Sequence, residues 1–141
     1  MVSDALMQLQ ASTTSTSTAH SSGLLLPKST MLHPFYAVFN YSAAQQASGS
    51  GVWTFGVSVS YDNGNTWYAD FEAPDEAITL SGTAQAGEFS IPILITRRDL
   101  VLPGVIADST HAVQIRADAV LSGSPVTPTV TWSVTCQPGR V

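Results

Sequence analysis

A single cysteine, Cys136, stands in a chain of 141 residues, so no disulfide can form within it. Charge is almost as scarce. Asp, Glu, Lys and Arg make up 11% of the residues, against about 25% in an ordinary soluble domain. Lys and Arg together number 5 against 10 for Asp and Glu, a formal net charge of −5. Without a basic stripe there is nothing to neutralise a phosphate backbone, which argues against a nucleic-acid partner. Apolar runs end after a handful of residues, well short of the roughly 18–20 that a membrane helix needs. The start, MVSDALMQLQ, has neither a basic n-region nor a long apolar h-region, so synthesis in a cytosol without export is expected. His20, His33 and His111 lie far apart with no second ligand at metal spacing, and neither a metal site nor a cofactor is expected.

Hydroxyl residues fill the space that charge leaves. Ser and Thr total 33. A β-protein coated with them lacks the usual charge-based protection against self-association, and the simplest explanation is that neighbouring molecules cover much of its surface. The stretch ASTTSTSTAHSSG concentrates this composition near the start. It is low in complexity and holds no large apolar side chain, so by itself it would not order. Residues 1–23 are therefore expected to form an arm that orders through a partner, anchored by Leu6, Met7 and Leu9. The competing account makes the same segment the first strand of the domain's own sheet.

From residue 35 onward the pattern has period two. GVWTFGVSVSY places Trp53, Phe55, Val57, Val59 and Tyr61 on one face. FYAVFNY does the same with Phe35, Ala37, Phe39 and Tyr41, and EFSIPILI with Phe89, Ile91, Ile93 and Ile95. HAVQIRADAVL sets Val113, Ile115, Ala117, Ala119 and Leu121 against Gln114, Arg116 and Asp118. TVTWSVTC sets Val130, Trp132, Val134 and Cys136 against Thr and Ser. Turn clusters such as ASGSG, SGTAQAG and SGSPVTP separate these runs. The class is all-β, an antiparallel sandwich of the Ig-like or jelly-roll-like kind over residues 24–141. Pro92 cannot donate to a ladder, so its strand belongs at a sheet edge or a bulge.

The stretch SYDNGNTW, residues 60 to 67, has Ser60, Asp62, Gly64 and Trp67 in the pattern S-x-D-x-G-x-x-W. It resembles the Asp-box of sialidases and other β-propeller enzymes. A propeller needs several blades of about 40–50 residues, each with its copy. One copy in 141 residues excludes that architecture, and the motif reads as a hairpin brace. Asp62 accepts from backbone N–H groups, Gly64 supplies a positive φ, and Trp67 packs back over the loop. A two-residue Asn63-Gly64 turn would pair Tyr61 with Thr66 and turn Trp67 to the polar side. An odd loop would instead bury Trp67, Ala69 and Phe71 on the Tyr61 face, and it is the expected arrangement. A buried Trp67 would cost about 3–5 kcal/mol on replacement by Ala.

Catalytic constellations are thin. Asp70, Glu72, Asp75 and Glu76 cluster in DFEAPDE, and a glycosidase needs two carboxylates, but an acidic loop in water is the plainer reading. No Ser sits in a nucleophile elbow, and Cys136 reads as a small core residue. Arg97 and Arg98, just after a strand, are candidate contacts to a partner. Trp53, Trp67 and Trp132 could form a sugar-stacking platform, yet all three fall in the apolar phase of their strands. An enzyme is not expected.

Several stretches together resemble the small head decoration (auxiliary or cement) proteins of tailed bacteriophages. They are SDALMQLQAS with its Ser/Thr run, YSAAQQASGSGVWTFGVSVSYDNGNTWYADF, ITLSGTAQAGEFSIPI and SPVTPTVTWSV. The likeness spans most of the chain and consists of strand patterns without a chemical signature. It implies a non-catalytic structural protein, made in the host cytoplasm, on the outer surface of the mature capsid. It also implies the major capsid protein as partner and a homo-oligomer, a trimer above all. A carbohydrate-binding or tail-associated sandwich is the alternative.

Overall fold

Alternating side chains need two sheets to bury one face of each strand, and two antiparallel sheets are what the chain forms. The computed structural model describes residues 8–25, 34–94 and 113–138. Its strands are β1 (Gln8–Ser15), β2 (Ala19–His20), β3 (Leu24–Leu25), β4 (Phe35–Gln45), β5 (Ser48–Ser60), β6 (Tyr68–Glu72), β7 (Ile78–Thr79), β8 (Gln85–Ile93), β9 (Gln114–Val126) and β10 (Thr129–Pro138). The first sheet has four strands in the order β1-β10-β4-β8. The second has six, in the order β2-β9-β5-β6, with β3 also on β9 and β7 also on β5. The central pair of the second sheet runs unbroken from Ser48↔Val126 to Ser60↔Gln114.

The core lies between the sheets, where the apolar phase of each strand points. Trp53, Phe55, Val57, Val59, Ile115, Ala117, Ala119, Val130, Trp132, Val134 and Cys136 are all buried. Phe39 and Phe89 of the first sheet stack with ring centroids 5.1 Å apart. Phe55 reaches across to Phe39 at 5.6 Å and to Trp132 at 5.7 Å. Such pairs add about 0.5–1.5 kcal/mol beyond the area they bury. Pro92 falls on β8, which bonds to β4 and ends the first sheet. The edge position foreseen for it is the one it occupies.

From residue 8 onward the N-terminal segment does not stand off as an arm. β1 pairs antiparallel with β10, and Leu9 is buried in the core instead of being free to meet a partner. Trp132 Nε1 donates to Ser15 Oγ at 2.9 Å, giving the buried indole its acceptor. The chain then crosses to the other sheet, where β2 and β3 line the edge of β9. Hydroxyls supply the bonds that such a low-complexity run needs. Leu121 N donates to Thr18 Oγ1 at 3.0 Å, and Ala117 N donates to Ser21 Oγ at 2.8 Å. The Ser/Thr composition thus serves the peptide groups of the domain itself. Leu6 and Met7, and the pair Arg97 and Arg98, lie outside the described residues.

A buried glutamine braces the passage from β4 to β5. Gln46 Nε2 donates to the carbonyls of Gly49 and Leu80 at 2.7 and 3.1 Å, and its Oε1 accepts from Gly51 N at 2.9 Å. All its polar groups are used, which makes a buried amide tolerable.

Candidate functional site

The loop from Ser60 to Trp67 closes as a network of local bonds. Thr66 N donates to Asp62 Oδ1 at 2.8 Å, and Ser60 Oγ donates to the same oxygen at 2.8 Å. Gly64 N in turn donates to Ser60 Oγ at 2.8 Å. Gly64 has φ +91, where a Cβ would be strained. These bonds favour the ionised carboxylate, first through the Thr66 amide and then the Ser60 hydroxyl, and hold the Asp62 pKa below its usual value. Ser60, Asp62 and Gly64 therefore act as the expected brace.

Trp67 does not follow the expectation. Val59 pairs with Tyr68, the even register, and a bulge follows before Val57 meets Phe71. The irregularity lies within β6, beyond the loop. It returns Phe71 to the core side but leaves Trp67 on the outer face of the second sheet, half-buried. Its ring finds a different partner, the Arg116 guanidinium, whose carbon lies 4.7 Å from the ring centroid. Cation–π attraction and the apolar stem of Arg116 replace the core burial foreseen for it.

Arg116 leads to a buried carboxylate. Asp118 sits on the outer face of β9, 5% exposed. Its Oδ1 accepts from Arg116 Nε at 3.1 Å and lies 2.6 Å from His20 Nδ1, while its Oδ2 accepts from Ser58 Oγ. A carboxylate at this depth is sustained only by such pairing. Ionised, it can only accept, so the His20 ring donates to it from Nδ1. These groups, with Trp67, Ala69, Glu72 and Val120, line a groove of about 300 Å³ over the face of the second sheet. The acidic cluster is dispersed: Glu72 enters the groove, whereas Asp70 meets the Tyr61 hydroxyl at 3.5 Å. Among the described residues no group of His, Cys, Asp and Glu is placed to hold a metal ion.

The first sheet presents the opposite chemistry. Its four strands contain one charged residue, Glu88, and their outer face is built from side chains such as Thr14, Thr131, Ser133, Asn40 and Ser90 around Tyr36, which is 41% exposed. Every other charged residue among those described belongs to the second sheet or to its loops. Trp53 and Trp132 are 0% and 1% exposed. No platform of two tryptophans exists on either face among the described residues.

No protein-family model and no curated protein matches the sequence. Among solved structures, that of TmCBM61 in complex with beta-1,4-galactotriose is similar over 86% of this chain and 61% of that one, at 11% identity and a TM-score of 0.36. The chain thus spans less than two thirds of that structure, and a likeness of this degree carries no functional argument.

Proposed function

We propose that this chain is a non-catalytic structural protein that decorates the outer surface of a tailed-phage capsid, with the outer face of the first sheet as the side that meets the shell. One observation supports this reading above the others: among the described residues, every charged side chain but Glu88 lies on the second sheet or its loops. A sheet face that remains in water normally carries charges that keep other molecules off. The face formed by β1, β10, β4 and β8 has Glu88 alone. Covered by the major capsid protein, such a face loses little solvation, because it holds almost no charge to desolvate. Assembly as a homo-oligomer, a trimer in the decoration-protein pattern, belongs to the same proposal.

The sugar-platform alternative has lost two of its three rings to the core. The decoration reading is tested by adding purified protein to particles that lack it and measuring what sediments with them. Wild-type protein is expected to bind, as is Ser124→Glu on the second sheet. Ser133→Glu, which sets a charge in the middle of the first face, is expected to fold normally and fail to bind. Unimpaired binding by Ser133→Glu would remove the assignment of the face, and no binding by the wild type would remove the function.

A further inference from the structure

The groove over the second sheet lies on the side of the sandwich away from the proposed capsid face, and its construction exceeds what packing alone requires. Asp118 spends its carboxylate on three donors of the protein itself: Ser58, His20 and Arg116. It thereby fixes two side chains without presenting a charge of its own. Arg116 is held further by Trp67 against its plane. Among the described residues only its Nε is bonded, so both terminal nitrogens remain as donors at the groove. The exposed Glu72 carboxylate remains as an acceptor, and His20 and Val120, the latter 40% exposed, border it.

We infer that this groove is a binding site for a neutral polyhydroxylated ligand, a short oligosaccharide. Donors and acceptors side by side suit hydroxyl groups, which both donate and accept, whereas an anion or a cation would satisfy only one set. The charges agree: Arg116 is balanced by Asp118, and Glu72 is left to repel an anion. A cation would have to lie against Arg116. The volume of about 300 Å³ stands at the small end of ligand sites, which limits the part enclosed to one or two sugar rings. Pre-positioning by Asp118 and Trp67 lowers the ordering cost that long side chains otherwise bring to binding.

The test is a calorimetric titration of the full-length protein with three neutral trisaccharides (maltotriose, cellotriose and triacetylchitotriose) and one anionic one, trigalacturonate. At least one neutral trisaccharide is expected to saturate with a Kd of about 0.1–10 mM. Glu72→Gln, on an exposed side chain, is expected to weaken that binding about tenfold or more at unchanged Tm, and Arg116→Ala to abolish it. Absence of saturation with every neutral trisaccharide would overturn the inference. So would binding that both substitutions leave intact, or tighter binding of trigalacturonate. None of these outcomes depends on whether the protein binds capsids.

Discussion

Asp62 and Trp67 share a loop but are held by different forces, and their variants should separate. Asp62 is half-buried, and the bonds from the Thr66 amide and the Ser60 hydroxyl hold its folded pKa below the ordinary carboxylate value. A depressed carboxylate contributes stability above its unfolded pKa and loses it as pH falls through the folded one. Asp62→Asn is therefore expected to lower Tm at neutral pH and to flatten the decline of Tm below about pH 4. Thermal melts of both proteins across that range check this, and parallel acid profiles would contradict it. Trp67→Ala should cost about 1–2 kcal/mol, the loss of a cation–π contact and partial packing. Trp132→Ala should cost about 3–5 kcal/mol, because that ring is 1% exposed and anchors β1 through Ser15. Denaturant titrations decide the order, and equal costs would contradict the placement of Trp67. Burial pushes the Cys136 thiol pKa up to about 12. Iodoacetamide should leave it unmodified near neutral pH and label it once the protein is unfolded, as mass spectrometry would show.

Among the elements, those with an apolar phase were legible and those without one were not. β4, β5, β8, β9 and β10 turn the described residues of their apolar phase to the core, with Tyr41, Tyr61 and Leu121 partly buried at its margin and Ile95 outside the described residues, because a core between two sheets rewards period two directly. The hairpin was legible as a hairpin but not in its parity. The outcome rests on the closure of Thr66 onto Asp62 and on a bulge in β6 opposite Val57 and Val59. β1 was misread for a related reason. Its Ser/Thr side chains give no alternating signal, and its stabilising contacts come from β10, far along the chain. The groove was hidden in the same way. Arg116 and Asp118 stood out in the polar phase of β9, rare charges in a chain with few, but nothing local announces that His20 closes on Asp118 from 98 residues away. A test at this scale is Ser15→Ala, which leaves a buried indole N–H unpartnered and should cost about 1–3 kcal/mol. Removal of residues 1–15 should unfold the isolated protein. A truncated form with wild-type Tm would restore β1 to the status of a detachable arm.

Considered whole, the molecule is a two-sided sandwich. One sheet turns hydroxyls and Tyr36 outward with a single charge, and the other carries the remaining described charges around a groove. A protein with one hydroxyl-rich, charge-poor face and one charged face is suited to lie on a shell and present its other side to the surroundings. The central claim is that the chain is a component of the capsid surface, and counting it in purified phage particles tests that most directly. Quantitative mass spectrometry of digested particles should find it at a copy number comparable with that of the major capsid protein. A handful of copies per particle would move it to the tail or portal, and its absence from the particle would contradict the account.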